Sequence, residues 1–156
     1  MNTCLPHHLS RSAKIALSWL AVAVMAAAIF WMSANSGESI NSGLGIISAI
    51  KGMLAAGTQW IFGHEVDVSP VGHFTEYLVF GALLFNALRF HLNPRTALLA
   101  ALAIGSLYAI TDEWHQLFVP SRSCDPADWA VDTVATLVGS ALTRFGFRKT
   151  KTPNDN

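Results

Sequence analysis

The chain has 156 residues, enough for one domain, with ten Lys and Arg set against ten Asp and Glu. That even balance leaves no basic surface for nucleic acid. With 52% hydrophobic and 13% charged residues and a mean hydropathy of +0.39, the composition points away from a water-soluble domain of this size.

A bilayer's hydrocarbon core of about 30 Å takes about 20 apolar residues to cross as a helix. Four segments reach that length when a few polar residues are admitted: 13–32, 71–90, 96–118 and 127–147. The first holds no charge after Lys14. Its apolar run exceeds the core of a signal peptide, so it reads as a retained span rather than a cleaved one. The fold class expected is all-α, a polytopic membrane protein with four transmembrane helices and an outer interfacial helix. Residues 1–12 and 148–156 read as cytoplasmic tails, and 13–147 as the transmembrane domain.

Between the first and second spans, residues 33–69 open with the turn-rich "SANSGESINSG". Ile46, Ile47, Ile50, Met53, Leu54 and Ile61 then recur at helical spacing. Gly43, Gly45, Lys51, Gly52 and Gly57 break this stretch, which suits a helix lying on the outer leaflet better than a further span. The second span opens at Ser69-Pro70, the third at Asn93-Pro94 and the fourth at Asp125-Pro126, each a capping residue followed by proline. The short "VPSRSC" connection makes the third and fourth spans antiparallel neighbours.

Charge orients the chain. Arg11 and Lys14 precede the first span, Arg89 and Arg95 flank the second connection, and Arg144, Arg148, Lys149 and Lys151 follow or end the fourth. Only Lys51 and Arg122 occupy the other two loops. By the positive-inside rule both termini are cytoplasmic. Nine of the ten acids then fall on the outer side, with Asp155 alone inside. Cys4 and Cys124 stand on opposite faces and cannot pair within one chain.

At 1.5 Å rise per residue, Asp112 lies roughly 27 Å along the third span, near its outer end. His73 lies about 4–5 Å and Glu76 about 9 Å into the second span, and Asp128 and Asp132 about 4–5 Å and 10 Å into the fourth. Three helices thus bring polar residues to one level. His73 and Glu76, Asp112 and Gln116, Glu113 and Gln116, and Asp128 and Asp132 are three or four residues apart, so each helix offers a polar stripe. Asp125 reads as a cap. Asp112 and Glu113 sit at the end of the helix dipole that disfavours acids, so capping does not account for them. Glu76 and Asp132 lie beyond the first turn, where an ionisable group is costly unless paired or hydrated. A Glu76–His73 or Asp132–Arg122 pair would meet that need structurally; a ligand site is the other reading. Arg122 suits an anion such as a lipid phosphate.

These residues carry a resemblance. "HFTEYLVFGALL" at 73–84, "DEWHQLFVPSR" at 112–122 and "DWAVDTVATLVGSAL" at 128–142, in this order, resemble the blocks of the VanZ-like family. The Ser-rich loop after the first span fits it too. The resemblance carries over to His73, Glu76, Tyr77, Asp112, Glu113, Gln116, Arg122 and Asp128. Asp132 stands where the family more often has Asn, and Pro70 where Lys is common. The family takes its name from an accessory protein of teicoplanin resistance, and the resemblance implies a bacterial inner-membrane protein.

The candidate site is therefore His73, Glu76, Tyr77, Asp112, Glu113, Gln116, Arg122, Asp128 and Asp132. The first reading is a membrane protein that binds a lipid or cell-envelope or glycopeptide head group at the outer leaflet. The alternative is a membrane-embedded hydrolase or transferase on a lipid-linked substrate, with His73 or Glu113 as general base and carboxylates free to take a hard cation. A coupled transporter ranks last, because the cytoplasmic halves of the spans are nearly devoid of polar residues. Neither catalytic residues, metal nor cofactor can be named from the sequence. The partner expected is the bilayer, and small residues such as Gly81, Ala82, Gly105, Ser106, Gly139 and Ser140 permit tight packing within or between chains.

Overall fold

The computed structural model describes residues 9–34, 69–120, 122 and 124–149. Among them the chain forms four α-helices: α1 (Arg11–Ser33), α2 (Ser69–Leu88), α3 (Pro94–Gln116) and α4 (Pro126–Lys149). The expected interfacial helix falls in 35–68, outside the described residues.

Local signals set the boundaries. Ser10 caps α1 by accepting from the Ala13 amide at 3.2 Å. The Asn93 side chain accepts from the Arg95 and Thr96 amides, with Pro94 in the first turn of α3. Asp125 accepts from the Ala127 amide at 2.8 Å, the capping role its position suggests. Helix α2 includes Ser69 itself, so the chain enters the helix one residue before the proline. Two spans are shorter than the hydrophobic pattern suggests. Helix α2 stops at Leu88, and Phe90 and His91 donate to the carbonyls three residues back in a tight turn. Helix α3 stops at Gln116, where Phe118 and Val119 do the same ahead of Pro120.

Helices α1, α3 and residues Val71–Leu88 of α2 are long and apolar enough to cross a membrane, with mean hydropathies of 2.2, 1.3 and 1.3. Helix α4 has the length, 24 residues, but carries Asp128, Asp132, Arg144, Arg148 and Lys149.

Helix α2 is central and touches the other three. Its buried side runs Tyr77, Phe80, Leu84 and Leu88, spacings of three and four that make one stripe, with Phe85 beside it. Val22 and Ile29 of α1 and Ala97, Ala101 and Ala109 of α3 complete the apolar core. The most extensive contact is between α2 and α4 rather than between the sequential neighbours α3 and α4. Small residues make it possible. A Cβ at Gly139 would fall on the Leu78 carbonyl, and one at Gly81 on the Thr136 carbonyl. The Ser140 hydroxyl donates to the Gly81 carbonyl at 2.9 Å across this seam. Glycine here lets two backbones meet, the usual way that apolar helices associate where no hydrophobic force separates them from their solvent. Gly105 of α3 does the same against the Thr136 side chain. Trp129 and Thr133 of α4 both reach the Ser106 hydroxyl, at 3.1 and 3.0 Å, and tie α4 to α3.

The outward surface is apolar. Leu99, Leu107, Leu142, Val24 and Phe145 are all more than half exposed. His73, Asp112, Glu113, Gln116, Asp132, Thr136 and Ser140 are buried. This inside-out distribution follows when the surroundings are hydrocarbon and the bundle interior is the more polar place.

Candidate functional site

The alternating helix directions gather four helix ends. The last residue of α1, the first turns of α2 and α4 and the last turns of α3 meet at one end of the bundle, and all nine sequence-derived candidates stand there. The i, i+3 and i, i+4 stripes turn inward because lipid cannot solvate their charges.

His73 and Asp132 pair across the α2–α4 seam, Nδ1 to Oδ2, at 3.6 Å. Asp132 is fully buried and His73 nearly so. The separation suits an ion pair and exceeds a hydrogen bond, and among the described residues His73 Nδ1 and both Asp132 oxygens have no hydrogen-bond partner. Of the pairings open from the sequence, neither is the one formed: Asp132 meets His73, because α2 and α4 run parallel and in closest contact. Glu76 is half-buried and lies within electrostatic reach of His73, Asp112, Asp132 and Arg122.

On α3, Gln116 Nε2 reaches both Asp112 Oδ2 and Glu113 Oε1 at 3.4 Å, long contacts that order the stripe weakly. Asp112 Oδ1 is buried without a hydrogen-bond partner. Glu113 has a structural task as well, because its Oε2 accepts from the Asp125 amide at 2.8 Å and so clamps the α3–α4 connection. Asp128, half-buried in the first turn of α4, stands within electrostatic reach of His73 and Glu113. Arg122 is half-buried in the connection, and its Nη2 donates to the Met32 carbonyl of α1 at 3.5 Å. Tyr77 is fully buried, its ring edge-on to Phe80, and its hydroxyl has no hydrogen-bond partner.

Two polar residues join the cluster that the sequence reading passed over. Ser33 ends α1, is buried and lies beside Asp112. Thr136 is fully buried with its hydroxyl unpartnered. Asp128, Asp132, Thr136 and Ser140 form an unbroken i, i+4 run, a signal open to inspection. Ser33 opens the Ser-rich segment noted in the sequence, but its place beside Asp112 follows from the packing of α1. His115, set aside from the site, stacks on Phe30 of α1 at 4.4 Å.

The cluster is rich in acceptors. Asp132, Asp112 and Glu76 supply oxygens, and Tyr77 and Thr136 supply hydroxyls able to donate or accept. Among the described residues no group of three or more His, Cys, Asp and Glu side chains is arranged to hold a metal ion. What the arrangement can do chemically is accept hydrogen bonds from hydroxyl or ammonium groups, move a proton at His73, and meet an anion at Arg122.

A helical bundle with leucine and phenylalanine outward and carboxylates inward is an α-helical membrane protein. The chain belongs to the VanZ/LLP1 family, whose model matches residues 18–147, most of the chain. No curated protein and no solved structure matches it.

Proposed function

We propose that the cluster is a binding site for the head group of a lipid or lipid-linked envelope component, entered from the outer leaflet. The observation that carries this reading is the set of buried polar atoms without partners, gathered from three helices at one end of the bundle. Such groups are expensive to keep in a membrane protein and persist where a ligand completes them. Asp112, Glu76 and Asp132 would accept from hydroxyl or ammonium groups, and Arg122 would hold a phosphate. In this reading α4 is the fourth span, since it lies along α2 for much of its length and its charges sit near its two ends. The excess of Lys and Arg in the tails and middle connection supports cytoplasmic termini in a bacterial cell, with the site on the far side.

The test is native mass spectrometry of the purified protein against a bacterial lipid extract. Wild type should carry a lipid bearing a phosphate head group. A charge-assisted hydrogen bond contributes about 1.5–3 kcal/mol, so Arg122→Ala should weaken that lipid roughly tenfold to a hundredfold. Glu76→Gln should change which head groups are retained. Unchanged binding in both variants sinks the proposal.

One observation supports a second reading, a hydrolase or transferase on a lipid-linked substrate. A histidine faced by a buried carboxylate at Nδ1 has Nε2 left for a proton, the arrangement of a general base. Incubating the same lipid fraction with wild type and His73→Ala separates the two. Product formed by wild type alone supports catalysis, and intact lipid in both supports binding.

A further inference from the structure

The opposite end of the bundle is cationic and fixed. Arg89, just beyond α2, donates from Nε to Asn86 Oδ1 at 2.9 Å. Asn86 in turn donates to the Ser18 hydroxyl of α1 at 3.1 Å, and Ser18 is held by the Lys14 carbonyl at 2.8 Å. The Arg89 guanidinium lies over the Phe147 ring of α4 at 3.7 Å and over its neighbour Phe90 at 4.7 Å. Three helices therefore immobilise one arginine. Arg11 joins it from α1 by donating to the Phe90 carbonyl at 3.4 Å. Arg144 stands one turn before Phe147, and its Nε is buried without a hydrogen-bond partner.

No carboxylate among the described residues stands beside these charges. Among the described residues the six acidic side chains, Glu76, Asp112, Glu113, Asp125, Asp128 and Asp132, all stand at the other end. A topogenic signal requires basic residues, but it requires no particular rotamer. Here an arginine has lost its rotational freedom to an amide and an aromatic face, which is the behaviour of a preorganised anion receptor. Its surroundings name the anion. Trp19 is part-exposed and donates to His91 Nε2 at 3.2 Å, the amphipathic anchoring expected at head-group level. Leu92 follows Arg89 closely in the chain and Leu142 and Phe145 precede Phe147 on α4, and all three are exposed.

We infer that this end is a second lipid site, in which Arg89, Arg11 and Arg144 hold the phosphodiester of an anionic phospholipid in the leaflet facing the chain termini. Arg89 supplies the fixed guanidinium, and Asn86 is a positioning residue that sets its direction. The rings of Phe147 on α4 and Phe90 in the turn after α2 flank the guanidinium, and the lipid tails run along the exposed leucines. The site is separate in space and in residues from the cluster at the other end.

The experiment titrates the detergent-solubilised protein with phosphatidylglycerol and with phosphatidylcholine, following bound lipid by native mass spectrometry and unfolding temperature. Each basic side chain near a charged lipid surface contributes about a fivefold preference, so with three engaged the anionic lipid should be retained well over tenfold more tightly. Arg89→Lys keeps the charge, and with it any topogenic signal, but loses the fork and the ring stacking. It should lower the preference about fivefold or more. Asn86→Leu should lower it with every cation intact. Inorganic phosphate and glycerol phosphate at millimolar concentration should leave the lipid bound. Equal retention of both lipids, full preference in Arg89→Lys, or displacement by inorganic phosphate would each overturn the inference.

Discussion

Gly139→Ala is expected to destabilise the protein by roughly 1–3 kcal/mol, although alanine is the best helix former. The same change at Gly146, on the same helix, is expected to stabilise by up to about 1 kcal/mol. The difference lies in what each new methyl meets. Nothing lies within 4 Å of a Cβ at Gly146. At Gly139 the methyl would land on the Leu78 carbonyl and crowd the Ala82 amide, and backbone atoms in a helix cannot swing aside. The α2–α4 seam would have to open, which loosens the Ser140 to Gly81 hydrogen bond and separates His73 from Asp132. Gly81→Ala, against the Thr136 carbonyl, should behave like Gly139→Ala. Thermal unfolding in detergent, followed by helical circular dichroism, reads all three. A Gly139→Ala protein as stable as wild type would show that α2 and α4 do not approach so closely.

The second large effect concerns the buried pair. Asp132→Val alone should cost about 3–5 kcal/mol, because it strands His73 and the neighbouring polar groups. Combining it with His73→Leu should recover most of that loss, since exchanging a whole buried pair for apolar side chains is often neutral or stabilising. The two groups face one another at 3.6 Å, and among the described residues His73 Nδ1 and both Asp132 oxygens have no hydrogen-bond partner. A pair so incompletely satisfied contributes little to stability. If the proposed head-group site is right, the stable double variant should bind the lipid less tightly than wild type. A double variant as unstable as Asp132→Val would mean that Asp132 supports other groups, with Glu76 the first to examine.

Much of the arrangement was legible in the residues. Polar pairs three and four apart, placed at matching depths from three proline-marked helix starts, put His73, Glu76, Asp112, Gln116, Asp128 and Asp132 at one level before any contact was known. Helical rise is fixed, so counting residues measures depth. Asn93 and Asp125 announced their caps because capping is a local interaction between neighbours in the chain. Partners across helices were another matter. The pairing of His73 with Asp132, the clamp from Glu113 to the Asp125 amide and the entry of Ser33 all depend on which helix faces which. The short connection favoured α3 with α4, whereas the glycines at 81 and 139 made α2 with α4 the closer seam.

The sequence by itself determined the membrane-suited composition, the helix starts, the depth of the acids and the family. These follow from hydrophobicity, periodicity and local hydrogen bonding, each confined to residues near in the chain. Only the tertiary structure decided which carboxylate meets His73, which one is spent on a loop, and that Arg89 is pinned by three helices at the far end. Those outcomes depend on packing between backbones, where the absence of a single Cβ sets how near two helices come and therefore which charges meet.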